Sequence, residues 1–167
     1  MDYRRLFDLF GYQEARFSNE TALAYKRQGQ SMVFSTPDCR HKINQVSAFL
    51  FRMGLRRGER VAIMAKHGSP FWNFLDFGMQ QIGLIVVPLH ATSGVEELRF
   101  ILQDAAIRAC FTDTEELYAT IHKLQTGSPD LEWVVPFYPL AGVNPCLLDL
   151  LAEPSSEELE TISDFTE

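Results

Sequence analysis

From residue 35 to residue 138 the chain alternates between two hydrophobic periods, one helical and one short and continuous. Ile43, Val46, Leu50 and Met53 recur at helical spacing with Phe49 beside them. Ser35 with Asp38, or Thr36 with Pro37, supplies the start signal. Gly54 followed by Leu55 supplies a Schellman stop. Residues 61–65 (VAIMA) are apolar without interruption, which suits a strand buried on both faces. Ser69-Pro70 then opens a helix reaching Ile82. It carries Phe71, Trp72, Phe74, Leu75, Phe77 and Met79, and so much apolar surface predicts deep packing. Gly83-Leu84 repeats the stop, and residues 84–89 (LIVVPL) read as a second buried strand, frayed at Pro88 for want of a ladder donor. Ser93 and Glu96 read as a capping box for a helix facing inward with Val95, Leu98, Ile101, Leu102 and Ala105. Residues 107–111 are a third strand, residues 114–125 a helix with Leu117, Ile121 and Leu124 inward, and residues 131–138 a fourth strand.

Strand–helix repeats with short connections imply parallel strands joined by right-handed crossovers. The expected fold is α/β: a doubly wound, mostly parallel sheet with flanking helices over residues 60–138. A helix over residues 3–17 precedes it, with Leu6, Phe10 and Phe17 on one side and an interruption at Gly11. Two alternating runs, residues 21–26 and 31–34, flank a Gly-containing turn and predict a β-hairpin. Past Tyr138 the periodicity fades. Asn144-Pro145 opens a short helix through Leu151. Residues 153–167 hold acids, serines and threonines but no lysine or arginine, and are expected to be a mobile tail or a linker.

Composition narrows the partners. A chain of 167 residues with 46% hydrophobic content can bury one full core. Its net charge of -7 argues against a nucleic-acid backbone or an anionic membrane as partner. Three cysteines, odd in number and without a CxxC pair, argue against a disulfide framework or zinc knuckle; Cys39 and Cys110 read as buried packing residues. The N-terminus has no signal-peptide pattern, and the longest apolar run, residues 84–89, is too short to span a bilayer. The expectation is a cytoplasmic chain without an integral membrane segment.

Candidate chemistry is sparse. No two histidines have metal-ligand spacing. Ser69 and Ser93 precede helices outside any G-x-S-x-G context and read as caps. There is no Gly-Lys pair and no GxGxxG. His67 and His90 stand out because they follow strands, and ligand crevices of open α/β sheets form at the carboxyl ends of strands.

Four blocks then occur in order. They are Gly58-Glu59-Arg60-Val61-Ala62-Ile63, Gly68-Ser69-Pro70-Phe71-Trp72, Gly83-Leu84-Ile85-Val86-Val87-Pro88-Leu89, and Glu96-Glu97-Leu98-Arg99-Phe100-Ile101-Leu102-Gln103-Asp104. Together they resemble the AMP-forming acyl-CoA synthetases of the adenylate-forming superfamily. The opening RLFDLFGYQ and residues 115–135 are most similar to the long-chain fatty-acid branch. The resemblance runs from Leu6 to Val135 and covers only the first part of the family's length.

The resemblance implies that residues 1–152 are the N-terminal α/β subdomain of such a ligase and residues 153–167 its acidic tail or a truncated linker. The parent enzyme would join a fatty acid to ATP and pass the acyl group to coenzyme A, using ATP, Mg²⁺ and CoA. This chain would hold no cofactor, and its partners would be the rest of the ligase chain and a second copy. Association peripheral to a membrane is also implied. The family's phosphate loop ending in Pro-Lys-Gly, its aromatic-x-Thr-Glu motif, its ribose-binding aspartate and its late lysine do not occur in these residues. No catalytic residue is therefore expected. Thr92 matches a family threonine near the acyl side and joins His90 and His67 as candidate substrate contacts. His67-Gly68 and His90 stand where the family often has asparagine and tyrosine. The alternative is a non-catalytic binding or interaction module of the same fold. An unrelated flavodoxin-like receiver is disfavoured by the lack of an acidic cluster at the strand ends.

Overall fold

The computed structural model describes residues 5–143 and 145–165. Helix α1 (Asp8–Phe17) leads into the antiparallel hairpin β1 (Leu23–Arg27) and β2 (Gln30–Phe34), followed by α2 (Thr36–Arg52). The repeat continues as β3 (Arg60–Met64), α3 (Pro70–Gln81), β4 (Ile85–Leu89), α4 (Val95–Asp104), β5 (Ile107–Thr112), α5 (Glu115–Gln125) and β6 (Trp133–Pro136). Two further helices close the chain, α6 (Leu147–Leu150) and α7 (Ser156–Phe165).

The main sheet has the order β4-β3-β5-β6, with every neighbouring pair parallel. The chain steps from β3 outward to β4, then crosses back over β3 to β5, so the winding direction reverses between β3 and β5. Both faces are covered. Val61, Ile63, Ala109 and Phe111 meet α2 and α3 on one face. Ala62, Met64 and Cys110 meet Leu98 and Leu102 of α4 and Leu117, Ile121 and Leu124 of α5 on the other. The expected doubly wound α/β fold is the one observed.

Local chemistry fixes the joints. The Ser35 hydroxyl accepts from Asp38 N while the Asp38 carboxylate accepts from Ser35 N, closing a capping box with Pro37 in the first turn. At the other end Gly54, with φ of 86°, lets Leu55 N donate to Leu50 O and Gly54 N to Phe51 O. Arg60 is spent on structure: its Nε donates at 2.6 Å to Ala105 O and so caps the end of α4. The β3–β5 register slips by one residue and leaves Arg108 between its neighbours. The Arg108 guanidinium bridges the Glu59 and Glu132 carboxylates at the amino end of the sheet.

Several expectations need correction. Residues 84–89 are not a buried strand. β4 lies at the sheet edge, with Ile85 51% exposed. Nor does Pro88 fray it, since Pro88 pairs with Ile63 and the strand runs on to Leu89. Ile85 N donates inward to Glu59 O, so the alternation turns Val86 and Pro88 to the open edge, where a missing donor costs nothing. The Ser93 capping box does not form. Gly94 is the N-cap, Ser93 N donates to His90 O, and Glu96 pairs with Arg99 at 2.6 Å instead. Val95 is half-exposed rather than inward, and of Leu6, Phe10 and Phe17 only Phe10 is buried. Residues 153–165 are not a loose tail. α7 docks on α2 through buried Ile162 and an Arg52–Glu158 pair at 2.8 Å, while Glu153 accepts from Gln45 at 2.9 Å. The expected start at Tyr3 and the opening of the short helix at Asn144 lie outside the described residues.

Candidate functional site

The reversal of winding between β3 and β5 leaves a crevice outside their carboxyl ends, the usual ligand position in an open α/β sheet. The β3–α3 loop begins at Ala65, and Asp113 follows β5 directly. The Asp113 carboxylate reaches across the gap and accepts from Lys66 N at 2.9 Å and His67 N at 3.0 Å. Two adjacent backbone donors that could hold an external anion are thereby filled from within the chain. Lys66 extends the tie with an ion pair to Glu116.

The β-hairpin forms the second wall. Gln28 and Gly29 both take positive φ, 50° and 82°, and close a two-residue turn matched to the twist of the strands. That turn carries Tyr25, Lys26 and Arg27 to the strand ends, where a cavity of about 450 Å³ opens against His67, Asp113 and Tyr138. The Arg27 guanidinium carbon lies 3.6 Å from the centroid of the Tyr138 ring. The buried Tyr138 hydroxyl shares a 2.8 Å hydrogen bond with Ser69 Oγ, and Ser69 also accepts from Phe71 N to cap α3. Burial pushes the Tyr138 hydroxyl up to about 12; its hydrogen bond with Ser69 works against this shift and its hydrogen bond to Tyr25 adds to it. It is therefore a fixed neutral hydroxyl near neutral pH, built to position rather than to exchange protons.

The three candidate contacts fall at the same end of the sheet but not in one site. His67 is exposed and lines the crevice. His90 and Thr92 are exposed in the β4–α4 turn, and none of the described cavities includes them. Sequence reasoning missed Tyr25, Lys26, Arg27, Asp113 and Tyr138. Asp113 was accessible in principle, as an acidic residue directly after a strand. The hairpin residues were not, because only tertiary packing brings that turn to the strand ends.

The described residues do not fit a magnesium triphosphate. No group of three His, Cys, Asp or Glu among them could hold a metal ion. The paired N–H groups of Lys66 and His67 are already occupied by Asp113. The three cysteines are free and buried, and burial pushes Cys39 up to about 11 and Cys110 up to about 12, so neither offers a thiolate near neutral pH. No helix among the described residues is long and apolar enough to cross a membrane.

Comparison with known proteins gives a consistent result. The family model of AMP-binding enzymes matches residues 10–149. The long-chain-fatty-acid–CoA ligase FadD15 of Mycobacterium bovis is 31% identical over 124 residues, which is 72% of this chain and 20% of that protein. A crotonobetaine/carnitine–CoA ligase of Salmonella paratyphi C is 30% identical over 110 residues, 64% of this chain and 21% of that protein. Among solved structures, the anthranilate CoA ligase AuaEII in complex with anthranoyl-AMP superimposes with a TM-score of 0.74 at 24% identity, covering 89% of this chain and 27% of its own. A Mycobacterium tuberculosis fatty acyl CoA synthetase does so with a TM-score of 0.70 at 19% identity, covering 89% and 29%. The chain thus spans about a fifth of the length of these curated relatives.

Proposed function

The chain belongs to the AMP-binding enzyme family, and from that premise we propose that it is the N-terminal scaffold of a long-chain fatty-acid–CoA ligase. The whole ligase would couple a carboxylate to the α-phosphorus of ATP, release pyrophosphate, and transfer the acyl group from AMP to the thiol of coenzyme A. In that division of labour this chain supplies the parallel sheet and its two helical layers, and the phosphate-handling groups come from elsewhere. The observation that carries the reading is the family match over residues 10–149. Support for the long-chain substrate class comes from the 31% identity to a long-chain ligase, which extends over 72% of this chain.

The coding sequence downstream of codon 167 tests this reading. It is expected to continue in frame into a Ser/Thr/Gly-rich segment ending in Pro-Lys-Gly, the phosphate grip that the reaction needs. A stop codon directly after codon 167 would contradict the scaffold reading and favour a non-catalytic module of the same fold.

A further inference from the structure

Many basic side chains of this acidic protein are tied down within the chain. Arg5, Arg40, Arg52, Lys66, Arg99 and Arg108 each hold a carboxylate. Arg56 and Arg60 donate to backbone carbonyls, and Lys42 to Gln45. Lys26 and Arg27, like Arg16, Arg57 and Lys123, hold no carboxylate among the described residues. Neither Lys26 nor Arg27 has an oxygen partner among the described residues, although they adjoin each other and line the same cavity. Arg27 keeps only the face of the Tyr138 ring, which leaves the edge donors of its guanidinium unused.

We propose that the crevice between the β1–β2 turn and the carboxyl ends of β3 and β5 binds a small organic anion, a carboxylate or a phosphate ester, through Lys26 and Arg27. A volume of about 450 Å³ suits a small molecule. Two acidic side chains also line the cavity, Asp113 and Glu115. The Asp113 carboxylate accepts from the N–H groups of Lys66 and His67, and as an acidic neighbour it still opposes an anion. Glu115 opposes an anion by like charge, which gives the site a signed test. The inference rests on the unused donors of Lys26 and Arg27 and on the cavity they line, and it stands or falls apart from the ligase assignment.

The experiment titrates the whole chain with inorganic phosphate and, separately, with acetate, at constant ionic strength, following backbone amide shifts by NMR. Saturable shifts at Lys26, Arg27 and His67 are expected with at least one probe, and the tighter of the two identifies the anion chemistry. A charge-assisted hydrogen bond contributes enough that Lys26→Ala should weaken binding by about tenfold or more. Lys26 is exposed and holds no oxygen, so this variant leaves the fold intact. Glu115→Gln should tighten binding. Shifts that rise linearly with both probes, or an affinity unchanged in both Lys26→Ala and Glu115→Gln, would overturn the proposal.

Discussion

Phe74→Ala is expected to lower the free energy of unfolding by about 3–5 kcal/mol, the usual cost of emptying a phenylalanine-sized space in a close-packed core. Phe74 is fully buried on α3, in the layer that joins the hairpin to the sheet. Its ring meets Phe34 of β2 edge-on at 5.2 Å and Phe71 at 5.6 Å, and Phe71 in turn meets Tyr138 at 5.8 Å. Removing the ring therefore opens a void and loosens the hairpin from α3. Neighbouring packing leaves little room to relax: a Cβ at Gly78, one turn further along α3, would already lie 2.6 Å from Val46 Cγ1 of α2. Urea unfolding at neutral pH measures the loss. Phe100→Ala, at a side chain 64% exposed, is the control and should change stability by no more than about 0.5 kcal/mol. A Phe74→Ala loss as small as the control's would contradict the aromatic core.

Alkaline pH is expected to destabilise the protein as it rises above about 9. Cys110 is fully buried on β5 and burial alone pushes its thiol up to about 12, against 9 for the free group. The folded state holds that proton more tightly than the unfolded state. The stabilisation is complete below pH 9 and is lost as pH rises toward 12. Cys110 alone should cost on the order of 1 kcal/mol per pH unit across that window. Cys39, pushed up to about 11, and Tyr138, pushed up to about 12, act in the same direction. Urea midpoints from pH 8 to pH 11 measure the slope, and Cys110→Ala should flatten it. A pH-independent midpoint over that range, or an unchanged slope in Cys110→Ala, would contradict the burial assigned to this thiol.

Element type and order were legible because each element carries its own local signal. The Ser35–Asp38 box, the paired stops at Gly54-Leu55 and Gly83-Leu84, and the period changes at Arg60 and Ile107 are all present where the sequence places them. Errors arose where the answer depends on a distant neighbour. LIVVPL reads the same in a central strand as in an edge strand, and only the sheet order makes Pro88 harmless and Ile85 exposed. The Ser93–Glu96 spacing fits a capping box, but Arg99 competes successfully for Glu96. The acidic C-terminal segment looks unfit for a core until Arg52 and an apolar seat for Ile162 are brought under it. The crevice was half legible. The rule about strand ends places His67 there, whereas Lys26 and Arg27 arrive from a turn some forty residues earlier in the chain.

ATP–pyrophosphate exchange by the isolated chain, with Mg²⁺ and a long-chain fatty acid present, bears most directly on the claim that this is a framework without its phosphate machinery. The fold is first verified by near-ultraviolet circular dichroism. The account predicts an exchange rate indistinguishable from a protein-free control, because Asp113 already fills the Lys66 and His67 donors and the described residues contain no metal-holding group. Magnesium-dependent exchange above that control would contradict it.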